Sequence, residues 1–402
     1  MALGYGIVAP VIPQFARQFG VSTAAAAGVI SAFALMRIAG ALPAGRLVDR
    51  FGEHATMAAG IAVVAASSVL AGFSGSFAQL LVLRGIGGLG SAAFSVSGQT
   101  LLLRSVPSEL RGRASGLYSG GFLLGGISGP AIGGLVAQWS ERAPFFIYGG
   151  MLLIPFGIAA VILRDSPRLV SGGAARASRP LAEIGRAIRD SAYRAAAAAN
   201  LADGFAVLGI RTAIVPLYVH YVLHKSEIWT GIGFLVVAAV NAAALLPAGR
   251  VADTIGLRPV IVTGCMLSGA SMAMLAVLPG LWGYLVALAA LGLGSGLLDV
   301  APSAMIGDIV GAAARAQDGD ARGGAVVASY LMAGDIGTVT GPVAVGALVD
   351  SISYHAAFWL AAAVLGLAAA LGLAARETRV RGQWPAGRAD VPAGTASADA
   401  AR

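Results

Sequence analysis

The sequence predicts an all-α integral membrane protein made of two six-helix bundles in a parallel repeat, and three observations predict it. The first is composition: 57% of the 402 residues are apolar and only 11% are charged, whereas an ordinary soluble domain has about 25% charged residues. The second is that the apolar residues form runs of roughly 20, long enough to cross a bilayer as a helix. The third is an internal repeat, which is typical of membrane transporters.

The apolar runs predict eleven complete membrane spans. The opening residues 2–15 form a further apolar run, but at about 1.5 Å per residue a helix of this length is too short to cross the bilayer. We therefore expect the first helix to be incomplete and to continue upstream of Met1. The eleven complete spans are predicted at 24–48, 55–73, 77–103, 113–137, 144–164, 195–222, 229–251, 258–278, 282–309, 323–349 and 355–375.

The charged residues predict the orientation of the chain in the membrane. Most of the 27 Lys and Arg lie in alternate loops and in the C-terminal tail, and an excess of Lys and Arg marks cytoplasmic loops. We therefore expect a multi-pass protein of the cell membrane with a cytoplasmic C-terminus. The net charge of +8 is then a topology signal, and no nucleic-acid partner is predicted. The single cysteine excludes an intrachain disulfide, and we expect no metal and no cofactor.

The internal repeat divides the chain into two halves. The stretch "GRLVDRFG" from Gly45 returns as "GRVADTIG" from Gly249, and "GPAIGG" from Gly129 returns as "GPVAVG" from Gly341. The longest polar interruption separates the halves. The predicted domains are an N-terminal bundle at 1–164, a central cytoplasmic loop at 165–193, a C-terminal bundle at 194–376 and a disordered tail at 377–402.

A loop motif gives the first specific resemblance. The stretch "GRLVDRFGEH" resembles the GxLaDrxGrk motif between the second and third helices of the major facilitator superfamily, although Glu53 and His54 stand where basic residues are usual. The resemblance implies that this loop stabilises the outward-facing state, and the alternative is a polar turn that only sets topology. The residues of this gating motif are Gly45, Asp49, Arg50 and Gly52, with Asp253 in the second copy.

The stretch "RGIGGLGSAA" from Arg84 contains the GxGxxG spacing of dinucleotide-binding loops. That fingerprint requires a preceding strand in a βαβ unit, whereas the flanking residues here are apolar and long enough to span. The stretch resembles the RxxqGxgaa motif in the fourth helix of the same superfamily. An arginine inside the membrane is costly, so Arg84 should face a cavity or a counter-ion. The resemblance implies a role in proton coupling; the alternative is an arginine that extends to the interface.

The third motif resembles the antiporter motif in the fifth helix of drug antiporters of this superfamily. It matches G-x8-G-x3-G-P-x2-G-G without a gap, and Pro130 removes a backbone hydrogen bond while the glycines permit a bend. The resemblance therefore points to the proton-coupled drug antiporter group with twelve helices. The residues of the motif are Gly116, Gly125, Gly129, Pro130, Gly133 and Gly134.

Titratable residues inside the predicted spans are candidate site residues. The resemblance places the first, fourth, seventh and tenth helices around a central cavity, so Arg84, Asp203, Arg211 and Asp299 could share one aqueous pathway for protons. For Asp203, a hydrated acid near the cytoplasmic interface is the alternative. We also expect Arg37 and Asp335 to pair across the halves near mid-membrane, because the resemblance packs their helices together; the alternative is that each faces its own wet cavity.

These observations predict a secondary active transporter that exports small amphipathic molecules by proton-coupled alternating access. The expected partners are a small-molecule substrate, protons and the lipid bilayer, with the protein as a monomer. The alternatives are a nutrient importer or facilitator of the same fold, and a transport-inactive membrane sensor. An enzyme is not expected, because the GxGxxG lacks its strand and no Walker-type phosphate loop occurs.

Overall fold

The computed structural model describes residues 2–105, 125, 129, 132–159, 180–278, 280–316 and 324–378. In these residues all regular structure is helical, and nine helices are long and apolar enough to cross a membrane, which confirms the predicted all-α membrane fold. The helices are α1 Ala2–Val8, α2 Ile12–Arg17, α3 Thr23–Phe51, α4 Glu53–Gly72, α5 Phe77–Ser105, α6 Ala143–Met151, α7 Leu153–Gly157, α8 Pro180–Arg189, α9 Ser191–Asp203, a π-helix Gly204–Ile210, α10 Arg211–Ala213, α11 Val215–Tyr221, α12 Glu227–Ile255, α13 Leu257–Val277, α14 Gly280–Ala316, α15 Gly324–Ser351 and α16 Tyr354–Leu373.

The spans lie where the apolar runs predict them, with ends that differ by a few residues. The largest difference within the described residues is α14, which continues to Ala316, seven residues past the predicted end at 309. Most of the predicted span 113–137 and residues 160–164 of the next span lie outside the described residues. Because α9, the π-helix, α10 and α11 follow each other directly, they together form the seventh span, Ser191–Tyr221.

The opening apolar run is helical and buried. It consists of α1 and α2, which are separated at residues 9–11. Ile7, Val8, Ile12 and Phe15 have essentially no exposed surface, because α1 packs against α6 and α2 against α3. The run therefore belongs to the helix bundle.

A helix lies within the segment predicted as the central loop. In α8 the apolar residues Leu181, Ile184 and Ile188 recur at helical spacing among charged residues, a pattern that the polar composition of the segment obscures. The seventh span then begins at Ser191, where Asp190 caps it by accepting a hydrogen bond from the Ala192 N–H at 3.0 Å.

The chain is also ordered at the start of the predicted tail. The two carboxylate oxygens of Glu377 accept hydrogen bonds from the Leu257 N–H at 3.1 Å and the Arg258 N–H at 3.0 Å. A carboxylate at this position stabilises the N-terminus of α13, because the first amides of a helix have no intrahelical partner. Residues 379–402 lie outside the described residues.

The repeat is visible in the second helix of each half. Helices α3 and α12 both contain 29 residues with one internal proline, Pro43 or Pro247. They end at Gly52 with φ of 87° and at Gly256 with φ of 103°. Residues with a Cβ rarely adopt such angles, so the glycine that ends "GRLVDRFG" and "GRVADTIG" makes the turn between two spans.

The glycines after Arg84 lie inside the helix α5, with no strand before them. A Cβ built on Gly88 would lie 2.3 Å from the carbonyl oxygen of Phe33, and one built on Gly90 would lie 2.8 Å from that of Gly60. These glycines therefore allow α5 to approach α3 and α4 closely, as small residues do between membrane helices. The GxGxxG spacing is a packing feature of a membrane helix.

Candidate functional site

The two halves meet at one end of the bundle through two seams of equivalent geometry. In the first seam, a Cβ on Gly134 would lie 3.0 Å from the carbonyl oxygen of Glu227 and 3.2 Å from the Cα of Gly231. In the second seam, a Cβ on Gly346 would lie 2.6 Å from the Cα of Ala24. The two glycines come from the two copies of the "GP" motif, so each half contributes the same contact. We call this the closed end.

Polar contacts reinforce the closed end. Both oxygens of the Asp350 carboxylate accept hydrogen bonds from the first turn of α3, from the Thr23 N–H and the Ala24 N–H, each at 2.8 Å. Gln14 donates its side-chain amide to the carbonyl of Pro216 at 3.3 Å. These contacts join α15 to α3 and α2 to α11, so each of them links one half to the other.

An ion pair joins the halves further along the same helices. Arg37 Nη2 on α3 lies 2.6 Å from Asp335 Oδ1 on α15, with 42% and 32% of the two side chains exposed. The contact that the sequence analysis expects is therefore present in this conformation.

Three of the four candidate proton-coupling residues lie together in the C-terminal half. Asp203, Arg211 and Asp299 interact electrostatically with one another. The Asp299 carboxylate accepts a hydrogen bond from Asn241 at 2.8 Å, and the same amide group donates to Ser295 Oγ at 2.9 Å. In contrast, Asp203 Oδ1 is buried and has no hydrogen-bond partner among the described residues. The two carboxylates therefore differ, since among the described residues a side-chain donor is present at Asp299 and absent at Asp203 Oδ1.

The π-helix determines how Asp203 and Arg211 are placed. It occupies Gly204–Ile210, directly between the two charged residues, and π turns inside α-helices occur frequently at functional sites. The segment packs closely on α15: a Cβ on Gly204 would lie 2.1 Å from the Gly334 carbonyl oxygen, and one on Gly337 would lie 2.1 Å from that of Leu201. The helix that carries Asp203 thus packs on the helix that carries Asp335.

Arg84 lies in the N-terminal half, apart from the carboxylates. Its guanidinium stacks over the ring of Phe33 with 4.6 Å between Cζ and the ring centroid. Only 2% of the residue is exposed, and Nε and Nη2 have no hydrogen-bond partner among the described residues. Its electrostatic neighbours are the phenols of Tyr5 and Tyr148. Tyr5 also interacts electrostatically with Arg211, so it lies within electrostatic reach of both arginines.

Several of these neighbours have no recognisable signal in the sequence. Phe33 lies under Arg84, and Phe234 lies under Arg211 with 5.4 Å between Cζ and the ring centroid. A cation over an aromatic face is stabilised by the electrons of the ring. However, an isolated Phe in an apolar run looks the same whether it contacts lipid or an arginine. The same is true of Asn241, whose partner is on a different helix.

The motif residues occupy different environments. A Cβ on Gly129 or Gly133 would lie within 2.7 Å of α1 backbone atoms, so this part of the antiporter motif packs against the first helix; Gly116 and Pro130 lie outside the described residues. In the gating motif, Gly45 has no atom within 4 Å of its built Cβ. Among the described residues, no neighbouring helix therefore approaches Gly45 closely, and both seams lie at the opposite end of α3. The side chain of Asp49 is outside the described set.

A protein-family model described as Major Facilitator Superfamily matches residues 1–244 and 204–398 of the chain. The chain belongs to the major facilitator superfamily. The fold of this family member also resembles that of a solved bacterial homologue of the human lysosomal transporter Spinster, described as inward-facing and occupied, with a TM-score of 0.74 and 17% identity over 93% of this chain and 95% of that one. The unoccupied form gives a TM-score of 0.69 at 16% identity.

Curated relatives within the superfamily match about two fifths of the chain. Multidrug resistance protein 1 of Bacillus subtilis (strain 168) is 32% identical over 167 residues, which are 41% of this chain and 43% of the relative. Quinolone resistance protein NorA of Staphylococcus aureus (strain MRSA252) is 30% identical over 172 residues, 42% of this chain and 44% of the relative. The matched part thus spans less than half the length of each relative.

Proposed function

We propose that this superfamily member is a proton-coupled exporter of small amphipathic molecules that works by alternating access. The observation that carries the proposal is the buried Asp203 carboxylate, which has an unpartnered oxygen and lies in electrostatic reach of Arg211 and Asp299. An ionisable group at this depth is retained in a membrane protein when it serves transport. The names of the multidrug and quinolone resistance relatives support export of amphipathic compounds.

The charges of the cluster suggest which carboxylate takes the proton. Two carboxylates and one guanidinium carry a net charge of −1 when all are ionised, and one proton makes the cluster neutral. Asn241 donates to Asp299 and thereby stabilises its ionised form, whereas Asp203 Oδ1 has no donor among the described residues. We therefore assign the coupling proton to Asp203 and the role of counter-charge to Arg211.

The packing suggests how protonation changes access. Asp203 lies at the end of α9, which together with the π-helix packs on α15. Helix α15 also carries Asp335 and Asp350, which bind α3 in the other half. A change of charge at Asp203 thus acts on the helix that joins the halves and shifts the populations of the two access states. Tyr5 interacts electrostatically with both Arg84 and Arg211 and thereby connects the N-terminal half to this cluster.

The proposal includes an orientation. The predicted cytoplasmic loops, which carry most of the basic residues, lie at the end opposite the seams, so this conformation would be open to the cytoplasm in the cell membrane. The gating motif residues lie at that end as well. We propose that they form the corresponding contacts between the halves in the outward-facing state of the monomer.

The test is substrate-driven proton movement in liposomes that contain the purified protein. Dyes, quinolones and sugars are added outside, and internal pH is recorded with a trapped indicator. We expect entry of an amphipathic substrate to drive protons out, and we expect Asp203→Asn to abolish this exchange. Asp308→Asn is the matched control, because Asp308 lies on α14 like Asp299 but accepts a hydrogen bond from Thr378.

Each other outcome contradicts the proposal. Substrate uptake without proton movement indicates a facilitator, and uptake with protons moving in the same direction indicates an importer. Absence of transport for every compound class, with the protein folded, indicates a sensor. Equal substrate–proton exchange by Asp203→Asn and the wild type would show that Asp203 is not needed for proton coupling.

A further inference from the structure

We propose that Glu141, at the first seam of the closed end, is a second proton-binding group, and that its protonation stabilises the closed end. The proposal rests on the proposed function only for its place in a proton-driven cycle. The geometry that carries it is a cluster of titratable side chains from both halves. Glu141 precedes α6 in the N-terminal half, and His220 and Glu227 come from the C-terminal half.

The cluster brings two carboxylates together across the seam. His220 Nδ1 lies 3.5 Å from Glu227 Oε1, and both residues interact electrostatically with Glu141. Glu141 Oε2 is buried and has no hydrogen-bond partner among the described residues. An ionised Glu141 would thus place an incompletely satisfied charge beside a second carboxylate. Both the missing donor and the like charge disfavour ionisation while the seam is closed.

The neighbouring arginines do not neutralise Glu141. Arg17, at the end of α2, donates to the Val21 carbonyl at 2.6 Å and stacks over Tyr221. Arg142 is adjacent in sequence, but its guanidinium lies over the ring of Phe15, 5.6 Å from the centroid. Neither arginine is among the groups that act on the Glu141 carboxyl.

Other polar groups at the closed end have different surroundings. The side chain of Gln18 lies close enough to the Glu141 carboxyl to stabilise its ionised form. Asp350 is occupied by the backbone amides of α3 at the second seam. His224 and Lys225 are exposed in the turn between α11 and α12. Among the described residues, the groups that act on the Glu141 carboxyl are therefore Gln18, Glu227 and His220.

The environment gives the direction of the pH effect. Burial raises the pKa of the Glu141 carboxyl; the nearby Gln18 amide lowers it, Glu227 raises it and His220 lowers it, with a net upward shift. Opening the seam hydrates Glu141 and removes the cause of the shift, so the closed form binds the proton more tightly than the open form. By linkage, the closed end is stabilised as pH falls and is weakened as pH rises through this raised pKa.

This direction fits an exporter. The seam lies at the end that the proposed orientation exposes to the outside, where the driving protons are abundant. Protonation of Glu141 after substrate release would favour closure of that end and return of the cavity to the cytoplasm. Glu141 thus acts on the conformational equilibrium, whereas Asp203 is the coupling site within the bundle.

The test measures the closed end directly, without substrate or transport. Spin labels are attached at Gly75→Cys and Leu278→Cys, two exposed positions in different halves at this end, in a Cys265→Ala protein in lipid nanodiscs. The central carboxylates are neutralised by Asp203→Asn and Asp299→Asn, so that their titration does not contribute. We expect the short-distance fraction to fall as pH is raised from 5 to 9, with a single midpoint.

Variants then identify the titrating group. Glu141→Gln should keep the short distance dominant throughout and abolish the midpoint. Glu227→Gln should move the midpoint to lower pH, because Glu227 is one of the causes that raise the pKa of Glu141. Asp350→Asn is the matched control at the second seam: it should reduce the short-distance fraction at every pH and keep a pH-dependent transition, which Glu141→Gln removes.

Two results would overturn the proposal: a distance distribution that does not change with pH, and a Glu141→Gln protein that keeps the original midpoint. The liposome assay is independent of this measurement. Suppose that the midpoint depends on Glu141 but the liposome assay detects no proton movement. This result would contradict the proposed function and would still support the proton-binding site at the seam.

Discussion

Asp350 binds the helix that begins at Thr23 in the opposite half of the molecule. Its two oxygens lie 2.8 Å from the backbone nitrogens of Thr23 and Ala24, the first amides of α3. A carboxylate at a helix N-terminus contributes about 0.3–1 kcal/mol when exposed and up to about 2 kcal/mol when partly buried. This capping interaction stabilises contact between the halves, because donor and acceptor belong to different bundles.

Asp350→Ala should therefore shift the protein away from the closed conformation. A loss of about 1–2 kcal/mol lowers the ratio of closed to open molecules roughly 5- to 30-fold. The measurement is the distance between labels at Gly75 and Leu278. Ser353→Ala is the matched control, because Ser353 caps its own helix through the Ala356 N–H at 3.2 Å; it should lower thermal stability without changing the distance. An unchanged distance in Asp350→Ala would show that this capping interaction does not stabilise the closed end.

The pair of Arg37 and Asp335 should show energetic coupling. Both side chains are partly exposed, so solvent screening limits the coupling to about 0.5–1 kcal/mol. A double-mutant cycle with Arg37→Ala, Asp335→Ala and both, measured on thermal unfolding and on transport rate, should give losses that do not add. The same cycle on Arg376 and Asp190, whose charged atoms lie 2.5 Å apart within one half, should couple in stability but not in transport. Additive losses for the first pair in both assays would contradict the expectation.

Arg84 should be required for transport but not for insertion into the membrane. Arg84→Ala removes a buried cation over Phe33, and we expect it to abolish transport at equal abundance in the membrane. Arg84→Lys should rescue poorly, because an ammonium lacks the planar guanidinium that stacks on an aromatic ring. Arg46→Ala, at an exposed position, should transport normally. Transport by Arg84→Ala equal to that of the wild type would reduce the arginine to a packing role.

Gly133 should tolerate no side chain. A Cβ at this position would lie 2.1 Å from the backbone oxygen of Ile7, so Gly133→Ala must displace α1, at a cost of about 1–3 kcal/mol. Gly28→Ala is the control, since Gly28 has no atom within 4 Å of its built Cβ. The midpoint temperature of thermal unfolding in detergent should be lower for Gly133→Ala than for the wild type. For Gly28→Ala it should stay within about 1 °C of the wild type or rise. Equal behaviour of the two variants would show that α1 is free to move.

The sequence is most informative where the bilayer restricts the choice of residue. Apolar runs predict the spans because unpaired backbone groups are expensive in lipid, and the same expense makes Asp203, Arg211 and Asp299 conspicuous. The pair of Arg37 and Asp335 could be anticipated because two costly charges occur at similar depth on helices that the family resemblance packs together. Asn241, Phe33 and Phe234 could not be anticipated, because neutral side chains cost little in an apolar run. Glu141 lies in a connection between helices, where a charged residue is ordinary.

The two seams of the closed end share a backbone geometry but lie far apart in the sequence, so each can be immobilised separately. If the halves rotate as rigid bodies, a covalent cross-link at either seam must arrest the whole movement. If they separate progressively, a cross-link between positions 346 and 24 acts as a hinge, and the first seam near Gly134 can still open. Cross-links at the two equivalent glycines therefore distinguish rigid-body rotation of the halves from progressive separation.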